Sequence, residues 1–181
     1  MARQVVLLRG INLGSRNRVP MPALREQLEG AGLRDVRTYV QSGNVVLSSD
    51  ASAPELAAQC EQVLADAFGL DVPVIVRTRR ELAGVVKRDP LGKVAENPKL
   101  YQVTFLAQEL EPERVEALAE VARPPERLVA SGRELYAWHA NGIARSKLAA
   151  RIADARLGVV ATTRNWTTVT TLLQMAQEEP G

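Results

Sequence analysis

The sequence predicts an α+β protein made of two ferredoxin-like-related halves. Short apolar runs typical of buried strands alternate with stretches whose apolar residues repeat at helical spacing. Over residues 1–88 the order is strand, helix, strand, strand, helix, strand, which is the ferredoxin-like βαββαβ unit. After a joint over 89–100, a similar order begins again, and residues 101–181 are predicted to be a divergent copy with C-terminal helices in place of a clear last strand. We infer an internal duplication.

The first strand and the first helix are marked by a short apolar run and by proline. Val5–Leu8 suits a buried strand. Pro20 stands where a helix should begin, because proline suits the first helical turn. The residues that follow place Met21, Leu24 and Leu28 on one helical face, which predicts an amphipathic helix packed on the strand.

A hairpin and a second helix follow along the chain. The predicted strands Val36–Val40 and Val45–Ser48 flank Gln41–Asn44, a segment with the residue types of a turn. Ser52 and Glu55 then have the spacing of a capping box, in which each residue bonds a backbone N–H of the other at the start of a helix. This spacing predicts the second helix.

The last strand of the first half leads through a short third helix into the joint. Val72–Val76 is the predicted strand. Thr78 and Glu81 form a second capping box, which predicts a helix directly after that strand. Two prolines and a glycine over residues 89–99 then interrupt regular structure, so we place the boundary between the halves there.

The second half begins with the same kinds of element. Val103–Leu106 is predicted to be a strand, Pro112 opens a helix, and Ser131–Gly132 forms the turn of a second hairpin. The first hairpin also turns on a Ser-Gly pair. Helices near 146–156 and 164–177 are predicted to complete this half.

Composition excludes several classes of protein. One Cys cannot form an internal disulfide, and one His with one Cys cannot form a usual structural zinc site, so we expect no metal. No cofactor motif is present, and we expect no cofactor. The apolar runs are too short to span a membrane, and Arg9 interrupts the N-terminal run before it could form a signal-peptide core. We therefore expect a cytoplasmic protein with no membrane partner.

The small net charge of +2 conceals an uneven distribution. Residues 1–50 carry seven basic and four acidic side chains. Residues 51–140 carry 11 basic and 14 acidic side chains, and residues 141–171 carry five basic side chains and one acidic side chain. If the two basic ends meet in the fold, they form a positive surface that attracts anions. The alternative is a set of solvated arginines that serve solubility.

Four segments together resemble one bacterial family. The segments are Arg9–Gly14, Val19–Met21, Tyr39–Val45 and Thr162–Trp166. They are similar to the family catalogued as domain of unknown function 1697, and the resemblance runs over essentially the whole chain. It implies a two-part α+β protein whose first part is ferredoxin-like. The family brings no established activity, so the resemblance names no catalytic residue in this chain.

Topology predicts one candidate binding site at a sheet edge. In the ferredoxin-like order, strands one and two run toward the same edge, because a helix connects them in a crossover. The loop after strand one and the turn after strand two then lie together. Their guanidinium, amide and hydroxyl groups suit a phosphate, a carboxylate or the edge of a nucleotide. The residues are Arg9, Asn12, Arg16, Arg18, Gln41, Ser42 and Asn44.

A purely structural interpretation of these residues also stands. Gly10 and Gly14 suit a tight turn, and Asn12 can cap backbone groups. The Gly-x-x-x-Gly spacing lacks the Lys-Ser/Thr pair of a phosphate-binding P-loop. The equivalent loop of the second half, Gln108–Glu111, is short and acidic, so a function of the first-half loop would be asymmetric.

A second candidate is the segment that precedes the last helix. We expect Thr163 to be the N-cap of this helix, with Arg164 beside backbone N–H groups that favour an anion. Arg164 and Asn165 are therefore candidate ligand-binding residues, which join the first-half loops if the helix packs back. Trp166 is expected to anchor the helix in the core.

Three other features have simpler interpretations. Arg145, Lys147 and Arg151 form a basic patch that is expected to be a solvated face. His139 precedes a turn and has no motif partner, so we expect an exposed turn histidine. Cys60 falls on the apolar face of the second helix and is expected to be an inert core thiol.

These features favour a binding module for a small anionic or nucleotide-like ligand. The alternatives are an enzyme acting on a phosphorylated or nucleotide substrate and a protein-interaction module, and the sequence does not decide whether the protein is an enzyme. Nucleic-acid binding ranks lower, because the strands Val5–Leu8 and Val45–Leu47 carry no aromatic residue on which bases could stack. The sequence sets no oligomeric state.

Overall fold

The computed structural model describes residues 1–181, which divide into two compact units. The first unit comprises Met1–Gly84 and Thr170–Gly181, and the second comprises Val85–Val169. Two four-stranded antiparallel sheets with six α-helices give two similar halves, which confirms the predicted fold class. The predicted domain limits stay a prediction. None of the helices has both the length and the apolar character needed to cross a membrane.

The first sheet has the strand order β2-β3-β1-β4, and all its neighbours are antiparallel. Its strands and helices occur in the βαββαβ order expected from the sequence, followed by a third helix. They are β1 (Ala2–Leu8), α1 (Met21–Gly30), β2 (Arg34–Tyr39), β3 (Asn44–Ser49), α2 (Ala53–Phe68), β4 (Val74–Thr78) and α3 (Arg79–Arg88).

Local signals set the starts of two helices as predicted. At α2, the Ser52 main-chain N–H donates to Oε2 of Glu55 over 2.9 Å. At α3, the Thr78 N–H donates to Oε2 of Glu81 over 2.8 Å, and the Glu81 N–H donates to Oγ1 of Thr78 over 3.1 Å. These bonds satisfy backbone donors that have no partner inside the helix.

The core of the first unit lies between one sheet face and helices α1 and α2. It contains the predicted helix residues Met21, Leu24 and Leu28, together with Val6 and Cys60. On the other sheet face, the Arg3 guanidinium donates to the main-chain oxygen of Met175 over 3.4 Å. The C-terminal part of the last helix therefore belongs to the first unit.

The second sheet repeats the topology of the first, with strand order β6-β7-β5-β8. Helices α4 and α5 and a short 3-10 helix (Ala155–Leu157) contribute Leu118, Leu148, Ile152 and Leu157 to its core. The elements are β5 (Tyr101–Leu106), α4 (Pro112–Val121), β6 (Arg127–Ser131), β7 (Glu134–Trp138), α5 (Lys147–Ala153), β8 (Ala161–Asn165) and α6 (Trp166–Gln177).

The expectation that the second half lacks a last strand is wrong. Residues Ala161–Asn165 form β8, which pairs with β5 from Gln102↔Asn165 to Leu106↔Ala161. The segment has no apolar run, but it is an edge strand in which Thr162 and Thr163 supply β-branched side chains. Hydroxyl-rich sequences also suit helix caps, and this ambiguity led to a helix being predicted from residue 164 instead of 166.

Candidate functional site

Asn12 joins the loop between β1 and α1 to the turn between β2 and β3. Its Nδ2 donates to the main-chain oxygen of Gln41 at 2.7 Å and to that of Val19 at 2.9 Å. Its Oδ1 accepts a hydrogen bond from the Val19 main-chain N–H at 2.8 Å. The side chain therefore caps backbone groups on both segments, and both N–H groups of its amide are used in doing so.

Further bonds fix the shape of the same loop. The Asn12 N–H donates to the main-chain oxygen of Asn17 at 2.9 Å, and the Asn17 side chain donates to that of Gly10 at 2.9 Å. Asn12 and Asn17 have φ angles of +53° and +48°, in the left-handed region that asparagine tolerates better than most residues. The loop is held by its own backbone and amide groups, independently of any ligand.

The turn between β2 and β3 depends on Gly43 and Asn44. The Gly43 oxygen accepts a hydrogen bond from the Leu8 N–H at 2.9 Å. A Cβ at Gly43 would lie 2.7 Å from the Leu8 Cβ, and φ there is +78°, so only glycine fits. Asn44 is fully buried and donates to the Tyr39 oxygen at 3.1 Å. Gln41 and Ser42 are exposed.

Three arginines of this loop have guanidinium groups without a carboxylate partner. Arg16 and Arg18 are exposed, and Arg9 is half-buried. The main-chain N–H groups of Arg9 and Arg16 donate hydrogen bonds within the protein, but none of the three guanidinium groups does. No acidic residue occurs between Arg9 and Arg25, and the first turn of α1 carries none. Other arginines of the first unit do pair, as Arg37 does with Glu178.

Two exposed apolar side chains flank the bond that joins the two segments. Leu13, beside Asn12, is 63% exposed, and Val40, beside Gln41, is 51% exposed. Val40 also has a φ of +50°, a conformation that strains a β-branched residue. Val40 was predicted to continue the strand, but β2 ends at Tyr39. We use the name edge surface for Arg9, Leu13, Arg16, Arg18, Val40, Gln41 and Ser42.

Arg164 and Asn165 lie in the second unit and have local roles. Arg164 is a residue of β8, and it donates to Oγ1 of Thr162 at 2.7 Å and to the Thr163 oxygen at 3.0 Å. Desolvation lowers the pKa of the Arg164 guanidinium to about 10, so it stays charged at neutral pH. The expectation that Thr163 caps the last helix is wrong, since Oδ1 of Asn165 accepts from the Thr168 N–H at 2.9 Å.

Trp166, the first residue of α6, is only half-buried and packs on β5. Its ring stacks on Tyr101, with ring centroids 4.7 Å apart and planes inclined by 16°. Tyr101 is buried in β5, and its hydroxyl donates to Oδ1 of Asp89 at 2.9 Å. Burial, together with this bond to Asp89, raises the pKa of Tyr101 well above its ordinary value.

The single histidine is not the exposed turn residue that the sequence predicted. His139 is completely buried at the end of β7. Its Nδ1 lies 2.7 Å from Oε2 of Glu126, and the Ser146 hydroxyl donates to the same Glu126 oxygen. The His139 Nε2 is buried without a hydrogen-bond partner. The partners lie 13 and seven positions away, across a hairpin and a loop, so no local sequence pattern identifies the cluster.

Comparison with known proteins places the chain in a family and supports its fold. No curated protein matches the chain. A conserved bacterial protein of Streptococcus pneumoniae, SP0830, has a solved structure that is similar with a TM-score of 0.79 and 22% sequence identity. The similarity covers 97% of this chain and 99% of that one. The sequence profile of the family described as "Protein of unknown function (DUF1697)" matches residues 1–136. This chain therefore belongs to the DUF1697 family.

Proposed function

We propose that the protein is a binding module whose edge surface binds a small anionic or nucleotide-like ligand. The observation that supports this most strongly is the set of unpaired guanidinium groups of Arg9, Arg16 and Arg18 in a segment without carboxylates. Guanidinium groups bind phosphate and carboxylate through paired, charge-assisted hydrogen bonds. An anion at this surface would gain such bonds without first breaking ion pairs within the protein.

The fixed shape of the loop favours binding over a role as a solvated arginine cluster. Asn12 and Asn17 bond the loop to itself and to the β2–β3 turn, so the backbone that carries Arg9 and Arg16 is already ordered. Ordering a mobile loop on binding costs free energy, and a preformed loop avoids that cost. The strained backbone of Val40 beside this loop is also typical of functional sites.

Leu13 and Val40 favour a ligand that has an apolar part as well as a charge. Both side chains are more than half exposed, next to the residues that join the two segments. Binding sites for small molecules combine apolar contacts with a few polar groups that fix orientation. A nucleotide meets both requirements, because its base offers a flat apolar face and its phosphate offers the charge.

Thermal unfolding with added ligands tests this proposal. AMP should raise the melting temperature with a saturable concentration dependence, whereas adenosine at equal concentration should raise it less. The triple variant Arg9→Gln/Arg16→Gln/Arg18→Gln should lose most of the effect of AMP. Arg34→Gln, which removes an exposed arginine of β2, should retain it.

Two results would count against the proposal. One is a melting temperature that AMP and inorganic phosphate leave unchanged, which would favour the protein-interaction alternative. The other is an AMP effect of undiminished size in the triple variant, which would assign AMP binding to another surface. Incubation of any bound nucleotide with the protein, followed by product analysis, separates a binding module from the enzyme alternative.

A further inference from the structure

A groove between α4 and α5 in the second unit is lined by basic side chains together with the carboxylates of Glu120, Glu126 and Asp154. At one end, a pocket of about 240 Å³ lies between the end of α4 and the start of α5. It adjoins a larger cavity of about 520 Å³ through shared walls at Val121, Arg123 and Lys147. We use the name basic pocket for the smaller cavity, which is lined by Val121, Arg123, Glu126, Asn141, Gly142, Arg145, Ser146 and Lys147.

The cations of the basic pocket are available to a ligand. Arg123, Arg145 and Lys147 are exposed, and none has an ion-pair or hydrogen-bond partner for its side-chain cation. Arg151, which lines the adjoining cavity, is exposed and interacts electrostatically with Asp154. In the same unit, Arg156 pairs with Asp154 at 2.9 Å. The three cations that line the basic pocket are therefore unpaired.

The one carboxylate of the basic pocket is engaged from within the fold. Glu126 is 11% exposed, and its Oε2 accepts from the Ser146 hydroxyl and lies 2.7 Å from Nδ1 of His139. An ionised carboxylate can only accept hydrogen bonds, so Nδ1 carries the hydrogen of this contact. Glu126 forms no ion pair with Arg123, Arg145 or Lys147, and its Oε2 is bonded to Ser146 and His139 instead.

We propose that the basic pocket binds the phosphate group of a phosphomonoester, with the organic part of the molecule in the adjoining cavity. Three cations and one carboxylate give the pocket a formal charge of +2, which complements a phosphate group of charge about −2 at neutral pH. Phosphate oxygens can accept hydrogen bonds from the two guanidinium groups, the ammonium group and the Asn141 amide. This site uses residues other than those of the edge surface, and it does not depend on the function proposed for that surface.

Residue-resolved NMR with inorganic phosphate and methyl phosphate as probes tests the site. In amide spectra recorded at constant ionic strength, both probes should shift the signals of Arg123 and of residues 141–147 in a saturable manner. Arg145→Gln and Lys147→Gln should each weaken phosphate binding about ten-fold, because each removes a charge-assisted hydrogen bond. Lys93→Gln and Lys99→Gln, which neutralise exposed lysines outside the groove, should leave the affinity unchanged.

Glu126→Gln gives a second, opposite test. Glutamine keeps an oxygen acceptor for Ser146 and His139 but removes the negative charge from the pocket. Phosphate binding should therefore become about three- to ten-fold tighter. A purely structural role for Glu126 would change the melting temperature without tightening phosphate binding.

Three results would overturn the proposal, and each concerns only residues of the basic pocket. They are the absence of saturable shifts at residues 141–147, equal shifts in the variants with neutralised pocket cations, and phosphate binding that is unchanged or weaker in Glu126→Gln with the fold intact. Shifts confined to residues 9–18 would refute the basic pocket and support the edge surface. Saturable shifts at residues 141–147 would support the basic pocket and leave the proposal for the edge surface to its own test with AMP.

Discussion

The Asn12 side chain donates to the main-chain oxygen of Gln41 over 2.7 Å, joining two segments that are 29 positions apart in the chain. The same side chain also bonds both main-chain polar groups of Val19. Asn12 thus closes the loop that carries Arg9 and Arg16 and attaches it to the adjacent turn. The Asn12 amide supports the edge surface without being one of its residues, and the arginines are the ligand-binding groups of that surface in our proposal.

Asn12→Ala should destabilise the first unit by roughly 2 kcal/mol, since it removes three hydrogen bonds and leaves main-chain groups of Val19 without partners. Asn17→Ala removes one exposed hydrogen bond and should cost less. Urea unfolding of both variants measures the difference. An unchanged unfolding midpoint for Asn12→Ala would show that the loop does not depend on this side chain.

Val40→Asn should stabilise the protein by about 1 kcal/mol, because asparagine tolerates the left-handed backbone that strains valine at φ +50°. Val40→Thr keeps a β-branched side chain and should bring no gain. Thermal unfolding of the two variants makes the comparison. Equal melting temperatures would indicate that the strain at Val40 is smaller than this conformation implies.

His139→Ala should lower the free energy of unfolding by roughly 2–4 kcal/mol, because it empties a fully buried site and removes a partner of the Glu126 carboxylate. Ser146→Ala removes the N-cap of α5 and the hydrogen bond from the Ser146 hydroxyl to Glu126, but it empties much less volume and should cost about 1–2 kcal/mol. Chemical denaturation measures both. A loss for His139→Ala no larger than that for Ser146→Ala would contradict a structural role for the buried histidine.

The Cys60 thiol should resist alkylation in the folded protein. Burial, with a smaller effect of the Glu61 charge, raises its pKa from 9.0 to about 12, so the folded state holds roughly a thousand-fold less thiolate at neutral pH than an unperturbed cysteine. Because the folded pKa is the higher one, this group contributes stability below pH 9 that is lost as pH rises toward 12. Iodoacetamide labelling that is equally fast in folded and urea-unfolded protein would contradict the buried thiol.

Much of the fold was predictable because its signals are local. Ser52 with Glu55 and Thr78 with Glu81 marked helix starts through bonds that close within four residues. Proline and spaced apolar residues located α1. The βαββαβ order then determined which loops share a sheet edge, and the contact of Asn12 with Gln41 follows from that topology.

The features that the sequence did not predict depend on distant contacts. β8 has no apolar run, and its threonines and Arg164 pair with β5, about 60 residues earlier in the chain. His139 is buried against Glu126, which directly precedes β6, and against Ser146, the N-cap residue of α5. Val40 continues the strand pattern in sequence, but closing the turn forces its backbone into the left-handed region. Propensity and periodicity carry no information on such contacts.

A residue-resolved NMR titration with AMP tests the central proposal most directly. We predict saturable shifts of the amide signals of residues 9–18 and 40–43, and we predict that Arg9→Gln/Arg16→Gln/Arg18→Gln abolishes them while the remaining spectrum keeps its folded pattern. A titration that leaves both segments unshifted at millimolar AMP, or shifts them equally in the triple variant, would contradict a ligand-binding role for the edge surface.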